Sequence, residues 1–146
     1  MKSFISITGL RSSLVYIVIF SFFYSCNPKP KISISNTLEI ALDNHSKYSE
    51  YVRILNKACE KDSAALLNFF KVDYIYDAAG YDHGNVLFQL MKIFGDKTFS
   101  KILKNASEKD LNNVRQYFEV GIDANDKDRD EVKISYPISS NILEIK

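Results

Sequence analysis

The sequence has little of several features that mark specialised classes of protein. Two cysteines in 146 residues exclude a disulfide-rich scaffold. Neither charge dominates, because 19 Lys and Arg residues face 18 Asp and Glu residues, and a formal charge of +1 gives no reason to expect a nucleic-acid partner. With 46% hydrophobic and 25% charged residues, the composition also excludes wholesale disorder, a collagen-like chain and a multi-span membrane protein. What is left is an ordinary globular domain, rich in Tyr and Phe and without Trp.

Long hydrophobic runs are missing as well, apart from one near the N-terminus. Lys2 and Arg11 are followed by an 11-residue apolar run over residues 14–24. A helix that spans a bilayer needs about 20 apolar residues, and extending this run back past Arg11 would bury a charge at a cost of about 3 kcal/mol. A basic segment followed by about 7–15 apolar residues is the pattern of an export signal. We therefore expect residues 1–25 to be a signal peptide.

A cysteine closes the apolar run. The residues Phe23-Tyr24-Ser25-Cys26 place a small side chain directly before it. This segment resembles the lipobox of bacterial lipoprotein precursors, which are cleaved before a lipid-modified cysteine. The resemblance implies that Cys26 carries lipid and anchors the chain in a membrane of the bacterial cell envelope, facing the periplasm or the cell surface. The alternatives are an uncleaved signal anchor and a soluble secreted form.

Residues 26–35 follow the predicted cleavage site. Their two prolines cannot continue a helix, and we expect an extended tether that begins at the lipidated Cys26. If Cys26 carries lipid, Cys59 has no partner within the chain, so no disulfide is expected in the mature protein. Cys59 ends a helical stripe that starts at Tyr48 and includes Val52 and Leu55. We therefore interpret it as a small core residue, with a reactive thiol as the alternative.

Helical spacing runs through residues 36–122, which we take as one helical domain. Residues 86–94 are apolar nearly all round and should form the central helix. Capping residues divide the remainder into short elements. The predicted N-caps are Asn36 or Thr37, Asp62 and Ser107, and the predicted C-terminal glycines are Gly95 and Gly121. The expected fold is mainly α, a compact irregular bundle of five to six short helices.

Residues 123–146 differ from the helical domain. The stretch 123–131 holds five acids and two bases, which is typical of a charged connector. Residues 132–136 alternate between apolar and polar side chains with the period of a half-buried strand, and residues 142–145 would be the returning strand. We therefore consider a small C-terminal β-hairpin that packs on the helices. Residues 31–35 alternate in the same way.

Chemically versatile side chains concentrate in residues 73–85. A histidine beside carboxylates can act as a general base or bind a metal, whereas a tyrosine-rich segment also suits recognition of a partner. The third interpretation is a structural junction in which Asp82 caps the next helix. The candidate binding surface comprises Tyr74, Tyr76, Asp77, Tyr81, Asp82 and His83.

Catalytic and metal motifs are missing from the sequence. It contains no G-x-S-x-G, P-loop, G-x-G-x-x-G or H-E-x-x-H pattern, and its only histidines, His45 and His83, stand 38 residues apart. We predict no enzyme, no cofactor and no metal site. The leading hypothesis is a lipid-anchored envelope protein whose domain binds a protein partner without catalysis, as an immunity, inhibitor, assembly or adaptor protein. The alternative is a small envelope enzyme, or a metal- or ligand-binding protein, centred on His83 and the neighbouring Asp and Tyr residues.

Overall fold

A computed structural model describes residues 29–42, 45–123 and 126–145 of the chain. Within these ranges the backbone forms eight α-helices and no β-strand. In chain order they are α1 (Asn36–Ala41), α2 (His45–Cys59), α3 (Ser63–Phe69), α4 (Ala78–Phe94), α5 (Asp96–Leu103), α6 (Glu108–Asp123), α7 (Asp126–Ser135) and α8 (Pro137–Leu143). The predicted class, a mainly α bundle of short helices, is confirmed.

The predicted signal peptide, residues 1–25, and the cysteine at position 26 lie outside the described residues. In the part of the chain that the structure describes, no helix is long and apolar enough to cross a membrane.

Helix α4 is the centre of the bundle. The helices α1, α2, α5 and α6 all pack against it, and α3, α7 and α8 complete the bundle by packing on those neighbours. Residues 86–94, which the sequence identified as the central helix, lie in α4 and are buried on most sides. A helix that is apolar nearly all round is stable when other elements cover most of its surface, and within residues 86–94 the exposed residue is Lys92.

Two glycines set the distance between α4 and α6. A Cβ atom added at Gly84 would lie 1.9 Å from the carbonyl oxygen of Tyr117, and one added at Gly121 would lie 2.5 Å from the carbonyl carbon of Gly84. The two helices therefore touch backbone to backbone, a contact that only glycine permits. The prediction that Gly121 ends its helix was wrong, because α6 continues to Asp123 and needs this glycine for the crossing.

Local capping follows the sequence closely. The Asp62 carboxylate accepts hydrogen bonds from the first turn of α3, and the Ser107 hydroxyl accepts one from the Asp110 amide, so both predicted N-caps are confirmed. Gly95, with φ of 72°, ends α4 as predicted. The N-cap of α1 is Ser35, whose hydroxyl accepts from the amide of Leu38, and not Asn36 or Thr37. Ser35 still has an extended backbone, whereas the two residues after it are already helical.

Residues 126–135 and 137–143 form helices α7 and α8, so the expected connector and β-hairpin are wrong. The alternation of apolar and polar residues placed Val132, Ile134 and Tyr136 on one face of a predicted strand. In the helix, Val132 is fully buried and Tyr136, one turn later, is half-buried, whereas Ile134 points away and is 80% exposed. Pro137 then occupies the first turn of α8, where its missing N–H costs nothing.

Helix α8 takes its cap from a distant residue. The two carboxylate oxygens of Asp96, at the start of α5, accept hydrogen bonds from the amides of Ile138 and Ser139 at 3.0 and 2.8 Å. The side chain of Tyr136, which occupies the N-cap position itself, makes no capping hydrogen bond within the described part of the chain. Asp96 therefore connects α5 and α8 through main-chain groups that would otherwise lack partners.

Removing this carboxylate should destabilise the fold. We expect Asp96→Ala to lower the free energy of unfolding by about 1–2 kcal/mol, because two helix N–H groups lose their acceptor. Glu108→Ala is the matched control, since it removes an exposed carboxylate from the first turn of α6 and should cost about 0.5 kcal/mol. Urea unfolding followed by circular dichroism measures both variants. Equal losses in the two would contradict a capping role for Asp96.

Candidate functional site

The segment that joins α3 to α4 is tied to α6 at two points. The Tyr117 hydroxyl donates a hydrogen bond of 2.9 Å to the carbonyl oxygen of Ile75 and accepts one of 3.3 Å from the amide of the same residue. Lys109 Nζ lies 2.9 Å from a carboxylate oxygen of Asp73. These two contacts attach Asp73 and Ile75 to α6, although residues 73–77 have no regular secondary structure.

Three residues at the start of α4 form an exposed patch. Tyr76 and Tyr81 are 70% and 51% exposed, and Asp77 between them is also exposed. Asp77 directly precedes α4, and Tyr81 lies in its first turn. We call Tyr76, Asp77 and Tyr81 the aromatic patch. It contains three of the six residues predicted as a binding surface.

The backbone of Asp77 is strained. Its φ is 52° and its ψ is −138°, a conformation that residues other than glycine rarely adopt and that costs about 1–3 kcal/mol. The residue occupies the N-cap position of α4, yet its side chain makes no capping hydrogen bond with the described residues. The strain persists because both ends of the turn are fixed. Tyr117 and Lys109 hold the residues before Asp77, and helix α4 begins directly after it.

Tyr74 and Asp82, unlike the residues of the aromatic patch, are half-buried. The ammonium group of Lys47 stands 5.0 Å from the centroid of the Tyr74 ring, a cation–π distance, and burial raises the pKa of the Tyr74 hydroxyl. Asp82 was expected to cap the helix that follows it. This prediction was wrong, because α4 begins at Ala78 and the Asp82 carboxylate accepts instead a hydrogen bond from the hydroxyl of Ser35.

His83 lies in the core, inside a cage of aromatic rings. Its side chain is 1% exposed, and its Nδ1 atom shares a hydrogen bond of 2.9 Å with the hydroxyl of Tyr51. The rings of Tyr117 and Phe69 lie 4.6 and 5.1 Å away, centroid to centroid. Burial lowers the pKa of His83 to about 3, so the imidazole is neutral at physiological pH.

The position of His83 corrects its predicted place on the binding surface. It follows Tyr81 by two residues, which is a rotation of about 200° around the helix, so the two side chains point in opposite directions. The side chain of His45, the other histidine, lies outside the described side chains. Among the residues that the structure describes, no group of three or more His, Cys, Asp and Glu side chains is placed to hold a metal ion.

No family model, no curated protein and no solved structure matches the chain. The geometry of the site separates an exposed aromatic patch from a buried neutral histidine, two features that the sequence placed on a single surface.

The sequence reasoning missed two tyrosines that organise the site. Tyr51 is fully buried beside His83, and Tyr117 holds the segment before α4. A signal for Tyr51 was present, because Tyr51, Leu55 and Ala58 recur at helical spacing and all three are fully buried. No comparable signal marked Tyr117, whose main-chain and ring contacts lie far away in the sequence.

Cys59 is half-buried, and its side chain packs partly against the core. The apolar stripe predicted from Tyr48 to Cys59 does not coincide with the buried face of α2. Val52 and Leu55 are fully buried, whereas Tyr48 and Cys59 are only partly covered. Burial raises the pKa of the Cys59 thiol, which lowers the fraction of reactive thiolate.

Proposed function

We propose that the protein is a lipid-anchored protein of the bacterial cell envelope whose helical domain binds a protein partner without catalysis. The observation that carries this proposal is the aromatic patch, in which Tyr76 and Tyr81 expose 70% and 51% of their surface beside Asp77. Tyrosine is enriched in protein interfaces, because its ring supplies contact area and its hydroxyl forms hydrogen bonds. The proposed role is that of an immunity, inhibitor, assembly or adaptor protein.

The rigidity of the patch supports binding. Residues 73–77 are held by Tyr117 and Lys109, and Tyr81 belongs to the central helix. A surface that is already ordered pays little conformational entropy when a partner binds. The strained backbone of Asp77 fits the same interpretation, since such strain is typical of functional positions.

The anchor is supported by the sequence. The basic start, the 11-residue apolar run and the small residue before Cys26 together favour lipidation at this cysteine. Stable anchoring takes more than one acyl chain, and the lipobox resemblance implies a modification that supplies several.

The alternative, an enzyme or metal-binding protein centred on His83, needs a substrate or an ion to reach the imidazole. At 1% exposure the ring is covered by Tyr51, Phe69 and Tyr117. With a pKa of about 3 it is also a poor general base at neutral pH. No observation favours this second function over the first.

Partner capture tests the proposal. The full-length protein is recovered from native envelopes after cross-linking, and its partners are quantified by mass spectrometry. We expect Tyr76→Ser combined with Tyr81→Ser to lower recovery of the partner at least about tenfold, because buried interface tyrosines commonly contribute 2 kcal/mol or more. The free energy of unfolding should hardly change, since both side chains are exposed.

The matched control combines Ile134→Ser with Ile138→Ser. These two exposed apolar side chains lie on α7 and α8, at 80% and 42% exposure, and the double change removes a similar amount of exposed apolar surface. We expect this control to recover the partner as well as the native chain does. Equal recovery by both double variants, or equal loss, would overturn the assignment of binding to the aromatic patch.

A further inference from the structure

Residues 29–31, which lead into the helical domain, are held against α2. The amide of Lys31 donates a hydrogen bond of 2.7 Å to Asn56 Oδ1, and Asn56 Nδ2 donates one of 2.8 Å to the carbonyl oxygen of Lys29. The ammonium group of Lys31 lies 2.5 Å from a carboxylate oxygen of Glu60. The Asn56 side chain thus binds the chain on both sides of Pro30.

The rest of this segment also packs on the bundle. Ile32 and Ile34 are half-buried against the core, and the Ser35 hydroxyl donates to the Asp82 carboxylate. The alternation seen in the sequence is therefore real, although its apolar side faces helices and not a neighbouring strand. The predicted tether over residues 26–35 is corrected accordingly, because from Lys29 onward the chain is part of the folded domain.

This attachment sets a short distance between the lipid and α2. Three steps of 3.8 Å separate successive Cα atoms from Cys26 to Lys29, so the two Cα atoms lie at most about 11 Å apart. That distance is close to the Debye length of about 8–10 Å at physiological ionic strength. Charges near Lys29 therefore lie within electrostatic reach of the membrane in which the lipid on Cys26 is inserted.

Four lysines and two acids, Glu60 and Asp62, lie at this end of α2, so its net charge is +2. Lys29, Lys57 and Lys61 are exposed, and none of them forms an ion pair with another described residue. Lys31 stands beside them, with half of its side chain exposed. We call these four residues the lysine patch. Lys57 lies in the last turn of α2 and Lys61 in the turn that follows, and they are next in sequence to Asn56 and Glu60, to which residues 29–31 are bound.

We infer that the lysine patch docks on anionic lipid headgroups of the bilayer that holds the Cys26 lipid. The C-terminal end of α2 then faces the membrane, and the domain has a fixed orientation on its anchor. This inference rests on the proposed function in one respect, the lipid on Cys26. Each lysine near an anionic membrane adds a favourable interaction that falls off within a Debye length.

Site-directed spin labels test the orientation in the lipidated chain purified from envelopes. In a Cys59→Ala background, one label is placed at Ser63→Cys, next to the lysine patch, and the other at Ser135→Cys, at the end of α7; both serines are exposed. The protein is reconstituted into phosphatidylcholine vesicles with about one-quarter phosphatidylglycerol. We expect collisions of the first label with a water-soluble nickel chelate to fall at least about fivefold relative to detergent, with little change at the second.

Charge reversal identifies the cause of this protection. Lys57→Glu with Lys61→Glu should restore access to the label at position 63, and raising the salt concentration should do the same. The matched control is Lys97→Glu with Lys101→Glu, which changes the net charge equally on two exposed lysines of α5 and should leave the protection intact. If the charge-reversed variant fails to fold, the measurement at high salt still tests whether the lysines cause the protection.

The possible failures are distinguishable. Intact mass establishes first whether Cys26 carries lipid, and an unmodified cysteine would overturn the anchor and the docking together. A lipidated chain whose two labels are equally accessible would overturn the docking alone. Protection at position 63 that survives both charge reversal and high salt would also overturn it, because the lysines would then not be its cause.

Discussion

Gly84→Ala is expected to lower the free energy of unfolding by more than about 4 kcal/mol, or to prevent folding. The added methyl group would lie 1.9 Å from the carbonyl oxygen of Tyr117 and 2.8 Å from the Cα atom of Gly121. Both neighbours are backbone atoms of α6, so no side chain can rotate out of the way. Helices α4 and α6 would have to separate, and every residue packed between them would lose contacts. Urea unfolding followed by circular dichroism measures the loss.

Gly80→Ala is the control for this prediction, one turn earlier in the same helix. A methyl group at Gly80 would have its nearest neighbour, an atom of the Tyr117 ring, at 3.8 Å, an ordinary van der Waals distance. This substitution should be neutral or stabilise the protein by up to about 1 kcal/mol, because alanine favours the helix over glycine. If Gly84→Ala unfolded at the same urea concentration as Gly80→Ala, the backbone contact between α4 and α6 would be refuted.

Acidification is expected to destabilise the protein through His83. The folded pKa of about 3 lies below the ordinary value of 6.5, so between these two values the unfolded chain binds a proton that the folded chain does not. The free energy of unfolding therefore falls as the pH drops through this window, by about 1.4 kcal/mol per pH unit well below the upper value. Between pH 7 and pH 4.5 the loss from this one residue amounts to about 2–3 kcal/mol.

Comparison with His83→Gln isolates the contribution of the histidine. Glutamine retains hydrogen-bonding capacity toward Tyr51 but does not titrate, while the carboxylates of the protein contribute equally to both pH profiles. Urea unfolding of both proteins at several pH values should give a steeper decline for the native chain below pH 6.5. Parallel profiles would mean that the folded protein protonates His83 readily, against its enclosure by aromatic rings.

Features whose cause lies within a few residues could be predicted from the sequence. Asp62 and Ser107 cap helices through amides two or three positions ahead, and Gly95 ends α4 by its own conformation. The central helix was predictable because residues 86–94 are apolar nearly all round. In each case the physical reason is contained in one window of the chain.

Features that depend on distant partners were missed. Asp96 caps a helix more than 40 positions further on, and the role of Gly121 depends on Gly84 across the bundle. The prediction that His83 lies on the binding surface was wrong for the same reason. Gly80 and Gly84 lower the local helix propensity, so the sequence placed the start of α4 too late. The direction of the His83 side chain was therefore predicted wrongly. Packing against α6 outweighs the low helix propensity of both glycines.

Tyr117 contacts three separate parts of the molecule. Its hydroxyl binds Ile75, its ring contacts His83 and its carbonyl oxygen lies against Gly84. The segment that carries Tyr76 is therefore attached to the contact between α4 and α6, and the amide proton of Ile75, which binds the Tyr117 hydroxyl, should exchange with deuterium more slowly than those of the exposed Tyr76 and Asp77. A partner of the aromatic patch would thus meet a single shape. Discrimination between partners would then depend on fit to that shape and not on adaptation after contact.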